Sequence, residues 1–123
     1  MLNRGSYLEI IDNSGAKEAK CICVLEGFFN KTASIGSLIV ASIRKLRLIR
    51  KVKLGQIFLA IIVRTKSWQN FKDGSASHFT KNCIVLLTRK KQLFGNKITG
   101  PLSRNLRKKK YMRLLLVSGS FIL

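Results

Sequence analysis

Five blocks of apolar and β-branched residues, each about one strand long, limit what this chain can fold into: residues 8–11, 19–25, 38–43, 57–63 and 83–88. Between them stand turn signals at Asn13-Ser14-Gly15, Gly27, Gly36, Gly55 and Asp73-Gly74. Short strands at such spacing, punctuated by glycine and with no internal repeat, predict a mainly β fold, either a small barrel or a sandwich. The 123 residues suit one domain with a core that is modest for its surface.

Charge narrows the function. Lys and Arg number 24 against five acids, Glu9, Asp12, Glu18, Glu26 and Asp73, leaving a net charge of +19. Self-repulsion on that scale calls for a polyanion, with nucleic acid first and an anionic membrane surface second. Apolar residues form 46% of the chain, so the charge decorates a folded core rather than a disordered tail. The longest apolar runs, 57–63 and 114–117, fall far short of the roughly 20 residues of a spanning helix, so no membrane insertion is expected. Met1-Leu2-Asn3-Arg4-Gly5 leads almost directly into a strand-like block, so no signal or transit peptide is expected in this chain.

Catalytic and metal-binding readings find little footing. Cys21, Cys23 and Cys83 cannot all pair, and with His78 as the one histidine they fall short of a tetrahedral zinc set. They read as buried thiols in a reducing compartment, Cys21 and Cys23 on one face of a strand as small core residues. No G-x-S-x-G, Walker or Rossmann pattern is present, and Asp73, Ser77 and His78 stand too close in sequence to converge as a triad. Neither an enzyme nor a cofactor is expected.

Half of the positive charge lies in two segments: Arg44, Lys45, Arg47, Arg50, Lys51 and Lys53, then Arg104, Arg107, Lys108, Lys109, Lys110 and Arg113. The first alternates with Leu46, Leu48 and Ile49 between two strands, as a projecting β-ribbon facing phosphates would. Past Gly100-Pro101 the β pattern is expected to end, with Ser103 capping a short helix through Lys108. Mixed Arg and Lys suit a folded RNA backbone recognised by shape rather than base identity. Neutralising about eight phosphates would give a slope of log affinity on log salt of roughly −6 for single strands. Trp68, Phe71 and Phe79 flank the Asp73-Gly74 turn, where they either stack on exposed bases or simply pack a hairpin.

One spacing is more specific. Ala60-Ile61-Ile62-Val63, nine residues, Asp73-Gly74, four residues, Phe79, two residues, Asn82, two residues, then Val85-Leu86 resembles the signature of the universal large-subunit ribosomal protein 14 family. The resemblance extends to Asp12-Asn13-Ser14-Gly15-Ala16, Lys51-Val52-Lys53-Leu54-Gly55 and Gly100-Pro101-Leu102-Ser103-Arg104, covering essentially the whole chain in order.

The resemblance implies a five-stranded β-barrel with a projecting β-ribbon, to about residue 100, and a C-terminal segment with short helices over about 101–123, together one domain over 1–123. It implies a non-catalytic part of the large subunit that binds rRNA, touches neighbouring ribosomal proteins and meets small-subunit rRNA at an intersubunit bridge. Asn13, Ser14, Lys17, Arg50, Lys51, Lys53, Arg64 and Lys66 would face rRNA, joined by Arg44, Lys45 and Lys72. The C-terminal side, with Pro101, Arg104, Arg107 and Lys108, would face proteins and the subunit interface. A ribosome-silencing factor would dock around Asn96, Lys97, Gly100 and Arg113.

Two departures from the family pattern stand out. The ribbon lacks its usual proline and glycine near Leu48-Ile49-Arg50, and Asn105 and Lys108-Lys109-Lys110 replace acids in the C-terminal helix. The basic replacements suggest that this face meets rRNA or an acidic added protein. Scarce proline and abundant Ile, Leu, Phe, Lys, Ser and Asn resemble an organelle-encoded gene, so a mitochondrial ribosome is expected, with a plastid or bacterial cytoplasm as the alternative. A free RNA-binding regulator and a cationic membrane-active protein compete as functions; the latter needs a continuous apolar helix face that residues 103–110 lack.

Overall fold

A computed structural model describes residues 2–25, 32–103, 105–108, 112–118 and 121–122. In chain order the strands are β1 (Leu2–Asn3), β2 (Tyr7–Ile10), β3 (Ala16–Val24), β4 (Thr32–Ala33), β5 (Leu38–Leu46), β6 (Ile57–Arg64), β7 (Gln69–Asn70), β8 (Ala76–Ser77), β9 (Cys83–Leu87) and β10 (Leu102–Ser103). Helices α1 (Asn105–Lys108) and α2 (Met112–Ser118) follow, then β11 (Phe121–Ile122). Strands β2, β3, β5, β6 and β9 form a closed barrel in that order. All its joints are antiparallel except the closing one, where β2 runs parallel to β9 with Glu9 opposite Cys83 and Ile10 opposite Ile84. Closure leaves no long sheet edge to pair with another chain.

These are the five apolar blocks of the sequence. Alternate residues turn inward, and the interior mixes small Ala16, Ala19, Ala41 and Ala60 with large Leu8, Ile10, Ile39, Ile43, Ile62, Ile84 and Leu86. A five-stranded barrel is too narrow for large side chains at every inward position, so the small residues admit the large ones.

One wall is buried on both sides. Ile84 and Leu86 of β9 point into the barrel, while Cys83, Val85 and Leu87 join a second core outside it with Ile61, Val63, Leu102, Leu106 and Leu114. The C-terminal segment therefore lies over the β6–β9 wall, and this explains why those strands read as continuous apolar runs rather than alternating ones. Burial of each such aliphatic side chain stabilises by about 1.5–3 kcal/mol, which holds the segment to the barrel.

The structure departs from the sequence reading at three places. The ribbon expected over the first basic cluster does not form: β5 stops at Leu46 and residues 47–56 make a loop without strand pairing. Two of its backbone donors go to the turn before β3, Arg47 N–H to the Gly15 carbonyl at 2.8 Å and Lys51 N–H to that of Ser14 at 2.9 Å, while Val52 is drawn into the barrel core. The β pattern also continues past Gly100, because β10 pairs in parallel with β11. Cys21 and Cys23 do not share a face either: a register shift between them against β5 carries Val24 rather than Cys23 to the core.

Cys21 and Cys83 are buried and Cys23 is half-buried, all unpaired. Burial pushes the Cys21 thiol up, helped by Cys23, and pushes the Cys83 thiol up against the opposing pull of the Arg64 guanidinium. The thiolate is the reacting form, so iodoacetamide at pH 7.5 should label Cys23 first and the other two at least about tenfold more slowly than a free thiol. Mass spectrometry of a labelling time course reads this directly. Labelling of Cys83 at the pace of Cys23 would contradict the packing of the β6–β9 wall.

Candidate nucleic-acid interface

The basic face is organised by an acid. Asp12 is buried directly after β2, where Oδ1 accepts from Ser14 N–H at 3.1 Å and from the Ser14 hydroxyl, and Oδ2 accepts from Leu86 N–H of β9 at 3.1 Å. A carboxylate bonded this way fixes the Asn13-Ser14-Gly15 turn on the barrel wall. The turn then holds two distant segments. Asn13 Oδ1 accepts from Asn96 N–H at 2.7 Å and Lys97 N–H at 3.2 Å, and the Ser14 and Gly15 carbonyls hold the 47–51 loop.

Gly15 makes the second contact possible. Its φ is +93°, and a Cβ there would lie 2.3 Å from the Cα of Arg50 and 2.5 Å from the Ile49 carbonyl oxygen. Backbone meets backbone at this point, so Arg50 and Lys51 are held against the turn that also binds residues 96 and 97, by a fixed scaffold rather than a loose loop. Arg47 is anchored as well, donating from its guanidinium to the Ile10 carbonyl at 3.2 Å.

A second group lies on β2 and β3. Glu9 and Glu18 face each other across the two strands, and each is answered by a lysine at 3.0 Å, Lys81 and Lys45 respectively. Lys17 joins Lys45 and Lys81 in one cleft of about 230 Å³, and Lys66 lines the next with Tyr7 and Asn82. Asn82 Oδ1 accepts the Lys66 N–H at 2.9 Å. These half-exposed ion pairs contribute little to stability, but they steady the lysines. The two groups adjoin, since Gly15 and Lys17, like Lys45 and Arg47, are two residues apart.

The residues anticipated from sequence thus divide. Asn13, Ser14, Arg50, Lys51 and Lys53 meet at the turn and loop; Lys17, Lys45 and Lys66 meet around the acid pair; Arg44 is exposed near the end of β5 and Lys72 on the β7–β8 turn. Arg64 sits at the joint with the C-terminal segment, where Nε donates to the Pro101 carbonyl at 2.8 Å and the guanidinium also reaches the Thr99 carbonyl. Gly100, at φ +81°, has no Cβ to crowd that guanidinium. Asn96 and Arg113 line a cleft of about 240 Å³ with Gln92, Leu93, Gly95 and Val117, a lining that does not include Lys97 or Gly100. Ser103 Oγ accepts from Asn105 N–H at 3.4 Å at the start of α1, as its capping role requires. Arg107 and Lys108 belong to α1; Arg104, Lys109, Lys110 and Gly27 lie outside the described residues.

Sequence reasoning passed over Arg47 and Lys81 as site residues. Arg47 stood within a recognised cluster, but Lys81 is a lone lysine whose place is visible only once β2 is paired with β9. The Trp68 and His78 rings lie 4.0 Å apart with Trp68 exposed, whereas Phe79 packs into the second core. Among the described residues no cluster of His, Cys, Asp and Glu is suited to a metal, and no helix is long and apolar enough to cross a membrane.

The closed barrel and the cationic groups assembled on it define a small basic β-barrel protein. A family model described as Ribosomal protein L14p/L23e matches residues 1–122, and the chain belongs to that family. It is a structural, non-enzymatic constituent of the large ribosomal subunit, placed on the ribosome and acting in translation among large-subunit rRNA and other ribosomal proteins.

Proposed function

We propose that the chain binds large-subunit rRNA through the turn-and-loop group and the adjoining β2–β3 lysines, with its C-terminal segment at the subunit interface. The observation that carries this reading is the seating of Arg50 and Lys51 on the Asn13-Ser14-Gly15 turn, with exposed Lys53 next along the same loop, while the ion pairs of Glu9 and Glu18 go to other lysines. Fixed cations without acid partners suit phosphates spaced along a folded RNA. Exposed Arg44 and Lys72 are further phosphate contacts in this reading, and Arg64 contributes by holding residues 99–101.

The C-terminal segment that carries Pro101, Arg104, Arg107 and Lys108 is the candidate contact with a neighbouring protein or with small-subunit rRNA at an intersubunit bridge. The cleft shared by Asn96 and Arg113, with Lys97 and Gly100 nearby in sequence, is the place for a ribosome-silencing factor. Barrel and C-terminal segment act as one domain over 1–123, in keeping with the core they share along β6 and β9. The amino-acid bias favours a mitochondrial ribosome.

Quantitative mass spectrometry across a sucrose gradient of mitochondrial lysate tests this reading. The chain should travel with large-subunit rRNA at moderate and high salt, and the free protein should bind that rRNA with a slope of log affinity on log salt of roughly −6. Release into the light fractions at moderate salt would instead favour a free RNA-binding regulator.

A further inference from the structure

Two aliphatic side chains stand fully in solvent at the crest of the basic loop: Leu48 is 101% exposed and Ile49 91%. They are not on a slack segment. The hydrogen bonds of Arg47 and Lys51 to the turn bracket them, buried Val52 anchors the chain just beyond, and the Ile49 carbonyl and Arg50 Cα rest against Gly15. A fold that holds two adjacent apolar residues outward on a fixed crest gains nothing from them in isolation.

Resting on the rRNA reading above, we infer that Leu48 and Ile49 form an apolar wedge that packs against the sugar edges and faces of unstacked nucleotides, while Arg50, Lys51 and Lys53 take the flanking phosphates. Charge complementarity selects the occupant. The crest is followed at once by exposed Arg50, Lys51 and Lys53, and neither described ion pair involves them. A polyanion with apolar base faces satisfies both halves of this surface. The wedge supplies affinity without adding a phosphate contact, so its contribution does not depend on counterion release.

Two measurements on the full chain test the wedge. In the first, p-benzoylphenylalanine replaces Leu48 in one preparation and Lys51 in another, each is assembled into large subunits, and the photo-cross-links are mapped. Cross-links to rRNA from both positions support the wedge. An rRNA cross-link from position 51 with a ribosomal protein, or nothing, captured at position 48 overturns the wedge but leaves rRNA binding standing; failure of both positions to reach rRNA overturns both.

The second compares binding to purified large-subunit rRNA. Leu48→Ser combined with Ile49→Ser should weaken affinity about tenfold at fixed salt, leaving the salt slope and the unfolding midpoint unchanged because both side chains are exposed. Arg50→Ala should instead reduce the slope by about one phosphate, roughly 0.7–0.9. A double variant that binds as tightly as the parent chain overturns the wedge.

Discussion

Replacing Asp12 with alanine should lower the unfolding free energy by about 3–5 kcal/mol, read as a fall in the urea midpoint at unchanged m-value. The carboxylate is buried and joined to Ser14 twice and to Leu86 once. Hydrogen bonds to a charged group contribute about 1.5–3 kcal/mol each, and the change leaves the Leu86 amide without its acceptor inside the β6–β9 wall. Glu18→Ala offers a contrast: it removes an ion pair whose lysine side chain is 66% exposed, and should cost under about 1 kcal/mol. Equal effects from the two variants would mean that Asp12 is not the anchor of the turn. Loss of the anchor should reach the proposed rRNA-binding loop too, since the Ser14 and Gly15 carbonyls hold residues 47–51. At a salt concentration that the parent chain tolerates, the variant should therefore leave the large subunit.

The barrel was legible because its strands are short, apolar and divided by turn residues, and all five expected blocks became its five strands. What stayed hidden depended on contacts between residues far apart in sequence. Alternation of Leu46, Leu48 and Ile49 with basic residues is a fair ribbon pattern, yet backbone bonds from 47 and 51 to residues 15 and 14 settle that segment as a loop. No local pattern encodes that closure. The separation of Cys23 from Cys21 rests on a bulge against β5, which a period of two along β3 cannot reveal. Likewise β10 needs β11 as a partner, and two residues of strand leave almost no mark in a sequence.

The candidate site divides in the same way. Basic clusters announce themselves by composition, so Arg50, Lys51 and Lys53 were visible from the outset. Asp12 was visible only as part of a turn motif; that its carboxylate reaches Leu86, 74 residues on, is a property of the closed barrel. Arg64 shows the opposite limit. Chain position alone does not say that its guanidinium is spent on the carbonyls of Thr99 and Pro101, tying β6 to the start of the C-terminal segment.

Gly15→Ala should cost about 3 kcal/mol of stability and weaken rRNA binding as well. Part of the cost is conformational, since an alanine held at φ +93° is penalised by about 1–2 kcal/mol. The rest is steric: the new Cβ would stand 2.3 Å from Arg50 Cα and 2.5 Å from the Ile49 carbonyl oxygen, and relief requires the loop backbone itself to move, at about 1–3 kcal/mol. Gly74→Ala separates the two parts, because Gly74 on the β7–β8 turn has φ +86° but nothing within 4 Å of the point where a methyl group would stand. That control should cost about 1–2 kcal/mol and leave rRNA affinity and its salt slope intact. In Gly15→Ala, by contrast, displacement of the loop separates Arg50 and Lys51 from Asn13 and Lys97, so affinity and salt slope should fall together. Chemical unfolding and rRNA binding measured on both variants decide the matter: if Gly15→Ala loses stability but binds like the Gly74 control, the turn supports the barrel without organising the proposed rRNA-binding loop.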